Sequence, residues 1–142
     1  MLRQLFNFLF LLLLFSCKKE AIDVPVNDYM HSISGQWNLS QREKGTYGKK
    51  YWEDARATSK DHLIFLESGT IVDLDSLPVC CQPNYLQINK VTIEIKPSPQ
   101  VAPNPVCALV QCIGCTTWDL EWAKNMLIIT YCDGTRLKYI KA

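Results

Sequence analysis

Apolar and polar residues alternate along much of the chain after residue 33, which is the pattern of half-buried β-strands. The clearest alternation lies at residues 91–95 and 117–122, where every second residue is apolar. Shorter apolar runs at residues 62–66, 70–74 and 126–132 are separated by turn residues. The only helical signal is a short turn at residues 29–32 that follows a possible capping residue, Asp28. We therefore expect almost the whole domain to be β-structure.

The last hairpin has the most specific turn signal in the chain. Asp133 and Gly134 separate the run ending at Cys132 from residues 135–140, and Asp-Gly favours a two-residue hairpin loop. Such a loop pairs Cys132 with Thr135 and predicts one inward apolar face and one mixed outer face. The predicted inward pairs are Thr130 with Leu137 and Ile128 with Tyr139, and the predicted outer pairs are Tyr131 with Arg136 and Ile129 with Lys138.

Together these elements predict an all-β domain at residues 33–142. We expect an antiparallel meander of about eight strands that closes into a small barrel. Residues 96–115 interrupt the strands with four prolines, and proline cannot donate to a strand ladder. This segment is therefore predicted to be a long loop whose apolar, cysteine-rich second half is stapled onto the barrel. The prolines are Pro97, Pro99, Pro103 and Pro105.

The N-terminus has the pattern of an export signal. A basic Arg3 precedes an apolar run that is shorter than the roughly 20 residues of a membrane-spanning helix. The sequence Leu-Phe-Ser-Cys at residues 14–17 resembles a bacterial lipobox. The resemblance implies that residues 1–16 are a lipoprotein signal peptide and that Cys17 carries palmitate-type acyl chains. Residues 17–32 then form a lipidated tether to the membrane of the cell envelope, and the absence of Asp after Cys17 favours the outer membrane.

Six cysteines remain beyond Cys17, and an even number in an exported chain indicates a disulfide framework. Three of them, Cys107, Cys112 and Cys115, have the C-x4-C-x2-C spacing that resembles the ligands of an iron–sulfur cluster. Such clusters are assembled in the cytoplasm, which conflicts with export. Partly free thiols and a zinc site remain alternatives, and six cysteines allow 15 pairings. Adjacent residues can hardly bridge each other, so Cys80 and Cys81 are expected to have separate partners. The disulfide candidates are Cys80, Cys81, Cys107, Cys112, Cys115 and Cys132.

Charge and candidate catalytic residues indicate no enzyme. The chain has 15 basic and 14 acidic residues, so no basic excess favours nucleic acid as a partner. His31 and His62 lack a nucleophile motif, and Asp73 with Asp75 is read as a solvated strand end. We expect no catalytic residue, no metal and no cofactor. A thiol-redox role for the C-x-x-C motif at residues 112–115 is a weaker alternative, because that motif lacks the strand-to-helix setting of redox proteins.

The start of the first strand resembles the lipocalin-like (calycin) barrels. Gly35-Gln36-Trp37 follows a possible helical turn, and a basic residue, Arg136, lies in the last strand. In that family a G-x-W tryptophan closes one end of the barrel and a basic residue packs over it. The resemblance therefore implies that Gly35, Trp37 and Arg136 close the barrel. The cysteine-rich loop is not part of the family pattern.

The inward side chains of the predicted barrel are candidates for binding a small apolar ligand, since about eight strands can enclose one small molecule. The predicted ligand-binding residues are Trp118, Leu120, Trp122, Ile128 and Tyr139. The alternative is that these side chains simply pack as a core. Two functions follow: a membrane-anchored lipoprotein that binds a small apolar ligand, or a structural envelope lipoprotein with a filled barrel that contacts another envelope protein.

Overall fold

The computed structural model describes residues 26–46, 48–56, 58, 61–96 and 98–142. The predicted signal peptide, Cys17 and most of the tether lie outside these residues. Within them the chain forms one α-helix, a short 3₁₀ helix and nine strands, which confirms the all-β prediction. The elements are α1 (Val26–Ile33), β1 (Gly35–Lys44), β2 (Tyr51–Asp54), β3 (His62–Phe65), β4 (Ile71–Val72), β5 (Tyr85–Ile88), β6 (Val91–Glu94), the 3₁₀ helix (Pro105–Leu109), β7 (Thr117–Ala123), β8 (Met126–Thr130) and β9 (Arg136–Lys141).

The nine strands form one curled sheet with the shape of a half-barrel. The order is β4-β3-β1-β9-β8-β7-β5-β6, and β2 pairs with the second half of β1. The sheet is mixed, because β5 and β7 are parallel, so it departs from the predicted antiparallel meander. The physical reason is the proline-rich loop after β6, which is long enough to return the chain beside β5 in the same direction, as a tight hairpin cannot. A closed lipocalin barrel is not confirmed.

The predicted register of the last hairpin is wrong by one residue. The structure pairs Ile129 with Leu137 and Leu127 with Tyr139. The loop has three residues, 132–134, with Gly134 at a φ of 82°, and the backbone N–H of Tyr131 donates to the carbonyl of Thr135. A three-residue loop with glycine in the left-handed region is a common hairpin closure. As a result Leu127 and Ile129, rather than Ile128 and Thr130, face the core.

The core fills the concave side of the curled sheet. Fifteen buried residues contact one another in a single cluster, so the interior is occupied by the protein's own side chains. Helix α1 contributes Met30 and Ile33 to this cluster, which places the helix against one end of the sheet. The largest side chains without exposed surface are Trp37, Phe65, Ile33, Ile71, Leu86, Ile88, Leu120, Leu127 and Ile129.

Trp37 joins α1 to the sheet. Its ring is fully buried, and its indole Nε1–H donates to the carbonyl of Ile33 at 2.7 Å. That carbonyl lies at the C-terminal end of the helix, where backbone oxygens lack intrahelical partners. The Nζ of Lys141 lies 5.5 Å from the centre of the Trp37 ring. The indole therefore satisfies a helix end while it fills the core.

We predict that Trp37→Phe lowers the free energy of unfolding by about 2–3 kcal/mol, because it removes a buried hydrogen bond and leaves a void. Trp122→Phe is the matched control, since its indole N–H also donates to a backbone carbonyl, that of Lys124, but at a partly exposed position. The control is expected to cost less than about 1 kcal/mol. Urea unfolding monitored by circular dichroism measures both. Equal losses in the two variants contradict the role assigned to Trp37.

Candidate functional site

The proline-rich loop lies across the side of the sheet where β4 ends. Strand β4 is only two residues long, and an isolated bridge pairs Val72 with Pro78. The amide side chain of Asn104, in the loop, donates to the carbonyl of Pro78 at 2.9 Å. The backbone N–H of Ser98 donates to the hydroxyl of Thr70 at 3.3 Å. The loop is thus bonded both to the β3–β4 turn and to the segment after β4.

Three disulfides fix this loop, as the sequence predicted, and the adjacent cysteines do have separate partners. Two bridges join the loop to residues 80 and 81, and the third joins the end of the loop to the β8–β9 hairpin. They enclose 27, 31 and 17 residues, for which chain entropy gives about 3–4 kcal/mol each. The pairs are Cys80–Cys107, Cys81–Cys112 and Cys115–Cys132.

A groove opens beside the loop at the end of the sheet that carries the β8–β9 turn. Its volume is about 480 Å³. The sheet forms one apolar wall of the groove, and the loop with its disulfides forms a second. Polar residues form the rim. The sheet wall contains Trp118, Tyr131 and Leu137, the loop wall contains Ile113 with Cys80, Cys81, Cys115 and Cys132, and the rim contains Gln111, Asp133 and Thr135.

The sheet wall is continuous with the core. The rings of Trp118 and Tyr131 pack edge to face with their centres 4.7 Å apart. The Tyr131 hydroxyl lies 3.4 Å from the hydroxyl of Tyr139, deeper in the sheet. Burial raises the pKa of both tyrosines above the ordinary value of 10.0, so both hydroxyls are neutral near pH 7. The sheet wall of the groove is therefore uncharged and aromatic.

The charged groups near this end are mostly paired. The Arg42 guanidinium contacts Asp61 at 2.8 Å. The hydroxyl and backbone N–H of Thr58, with Arg42, hold the pKa of Asp61 below its usual range. On the outer face, Arg136 contacts the carboxylates of Glu43 at 2.8 Å and Glu121 at 2.6 Å. Among the described residues that line the groove, Asp133 is the charged one, and it lies on the rim.

The structure places one of the five predicted ligand-binding residues in the groove. Trp118 lines the groove and also belongs to the core cluster, together with Leu120 and Tyr139. Trp122 packs against that cluster near the β7–β8 turn, at the other end of the strand. Ile128 pairs with Lys138 and is outside the core cluster, as a consequence of the register shift. These other four residues do not line the groove.

The predicted barrel-closing residues are also divided. Gly35 has a φ of 108° at the junction of α1 and β1, and Trp37 packs against the helix end. Arg136, however, lies over Trp52 at 5.6 Å, together with Lys138 at 4.2 Å. The cation over Trp37 is Lys141 instead, because Trp37 pairs with the end of β9 and Arg136 lies at its beginning.

The remaining candidate residues are held by local contacts. Cys112 and Cys115 bond to different partners rather than to each other, so the C-x-x-C motif is not a dithiol pair here. A carboxylate oxygen of Asp73 accepts the backbone N–H groups of Asp75 and Leu77, which is a turn cap. His62 contacts Asn38 at 2.6 Å, and His31 contacts Glu67 at 3.1 Å.

The described residues contain neither a metal-binding cluster nor a membrane-spanning helix. No group of three or more histidine, cysteine or acidic residues is arranged to hold a metal ion in that part of the chain. Nor does any helix there have the length and apolar character needed to cross a membrane.

The sequence prediction missed most of the groove. Ile113, Asp133 and Leu137 were not among the predicted ligand residues, and Tyr131 was placed on the outer face. The available signal was the apolar stretch from Val106 to Cys115, which is unusual for a loop. Two of its side chains, Leu109 and Ile113, are 88% exposed.

No protein-family model, curated protein or solved structure matches this chain.

Proposed function

We propose that this chain is an envelope lipoprotein, anchored through Cys17, whose lipocalin-like domain binds a small apolar or amphipathic molecule. The observation that supports binding is the groove of about 480 Å³ walled by Ile113, Trp118, Tyr131 and Leu137. Its size falls within the range of small-molecule sites, which are mostly apolar clefts with a few polar groups. The ligand occupies this groove rather than the interior, because the core cluster fills the interior.

The arrangement of the groove favours binding of an outside molecule over mere packing. Ile113 lies in the loop wall with 88% of its surface exposed, although an apolar side chain of this size normally gains from burial. Two disulfides hold the backbone on either side of it, at Cys112 and Cys115. A side chain held in this way can cover a ligand without a large entropic cost of ordering the loop.

The anchor is supported by the sequence alone, through the lipobox-like residues 14–17. Two or three acyl chains hold a protein on a bilayer far more firmly than one chain does. Residues 18–25 then join Cys17 to α1, which begins at Val26 within the predicted tether. The outer membrane is the proposed location.

We predict that Cys17→Ser abolishes incorporation of an alkyne-labelled palmitate analogue and releases the protein from the membrane fraction. The reason is that the thiol of Cys17 is the proposed acceptor of the lipid. Ser16→Ala is the matched control, since it keeps a small residue before the cysteine and should retain the label. Label that persists in Cys17→Ser contradicts the proposed anchor.

We also predict that Ile113→Ser weakens binding of the uncharged probe N-phenyl-1-naphthylamine by about five- to twentyfold, because the ligand loses a buried apolar contact. Fluorescence titration of purified protein measures the affinity. Leu109→Ser is the matched control, because Leu109 is equally exposed but does not line the groove. The Leu109→Ser variant should bind the probe with the same affinity as the unmodified protein. No binding to the unmodified protein, or equal loss in both variants, contradicts the groove as the site.

A second candidate function is contact with another envelope protein. The observation in its favour is the exposed apolar surface of the loop outside the groove, where Val106 is 58% and Leu109 is 88% exposed. Exposed apolar patches mark protein contacts when they are contiguous. The same pair of variants separates the two functions. If Leu109→Ser removes a cross-linked envelope protein and leaves probe affinity unchanged, the loop is a protein contact as well.

A further inference from the structure

The charge of the groove rim specifies which amphipathic molecules can bind, provided that the proposed groove function is correct. Asp133 is the only charged side chain among the described residues that line the groove. The opposite walls are apolar and aromatic. A ligand that buries its apolar part there must place its polar end near this carboxylate or in the solvent.

The carboxylate of Asp133 is held in a fixed position. One of its oxygens accepts the backbone N–H of Thr135 at 2.8 Å, and the other accepts the hydroxyl of Thr135 at 2.9 Å. The backbone N–H of Thr135 and then its hydroxyl hold the pKa of Asp133 below its ordinary value of 3.8. The group is therefore ionised at neutral pH, and it lies in the turn between β8 and β9.

The neighbouring cations do not line the groove. Arg42 is paired with Asp61 at 2.8 Å, and Arg136 is shared between Glu43 and Glu121. Lys50 is paired with Glu43 at 2.7 Å, and it lines a second pocket that Asp133 shares, together with Lys44 and both arginines. The charge that faces the groove is therefore that of Asp133.

The aromatic wall acts in the same direction. The ring of Tyr131 lies in the groove beside Trp118 and is only partly buried. The faces of such rings attract ammonium groups, and the attraction is larger for quaternary ammonium than for strongly hydrated cations. An anionic head group meets repulsion from Asp133 and gains nothing from the rings.

We infer that the groove selects amphipathic cations, in which an amine or quaternary ammonium group is joined to an apolar body, over uncharged and anionic amphiphiles of the same size. The apolar body lies between Ile113 and Trp118, and the cationic group lies between Asp133 and Tyr131. The selection follows because the Asp133 carboxylate, held by Thr135, lies beside an aromatic wall, while the nearby arginines are paired with other carboxylates.

Calorimetric titration of the purified protein with octyltrimethylammonium, octanol and octanoate tests this inference, with the two ionic probes below their micelle concentrations and octanol below its solubility limit. We expect the ammonium compound to bind about three- to tenfold more tightly than octanol, and octanoate to bind least. Asp133→Asn should remove the difference between the ammonium compound and octanol while octanol affinity stays unchanged. The asparagine amide can still bond Thr135 at both positions, so the turn is preserved.

Glu94→Gln is the control, since it removes an exposed carboxylate on β6 that does not line the groove, and it should keep the full preference. Added salt should reduce the preference of the unmodified protein, as expected for an exposed charge. Equal affinity for the three probes, or a preference that survives Asp133→Asn, overturns the charge selection but leaves groove binding intact. Failure of all three probes to bind overturns the proposed function itself.

Discussion

Two disulfides hold the proline-rich loop against the side of the sheet where strand pairing ends, and the groove beside the loop depends on them. Strand β4 has only two residues, and the chain beyond it continues through Pro78, which has no backbone N–H to extend the ladder. Two hydrogen bonds continue the pairing: Val79 donates to the carbonyl of Ile71, and Asn84 donates to that of Thr116. The disulfides Cys80–Cys107 and Cys81–Cys112 then join the loop covalently to this irregular segment, where the hydrogen bonds of a regular strand ladder are missing.

The same bridges build the groove. Cys80, Cys81, Cys115 and Cys132 form part of its wall, and the loop that they hold presents Ile113 opposite the sheet. At the other end, α1 and Trp37 close the core by a buried hydrogen bond and tight packing. The core is thus filled at the helical end, and the groove lies at the stapled end. Binding at that end requires no opening of the core.

Local patterns predicted the strands well, because alternation directly reflects which side chains are buried. The predicted strands at residues 91–95 and 117–122 correspond closely to Val91–Glu94 and Thr117–Ala123. The hairpin register failed because residues 126–131 are largely apolar on both faces, so the pattern could not choose between two- and three-residue loops. The groove could not be predicted because its walls come from distant segments that only the pairing of six cysteines brings together.

Amide hydrogen exchange of the double variant Cys81→Ser/Cys112→Ser measures whether the Cys81–Cys112 disulfide closes this side of the sheet. If the disulfides close the sheet at this side, the amides of Val79 and Asn84 should lose at least about tenfold in protection, since local opening there becomes easier. The amides of Leu127 and Ile129 in β8, which belong to the continuous ladder, should keep their protection. Unchanged protection at Val79 and Asn84, or an equal loss in β8, would contradict this account.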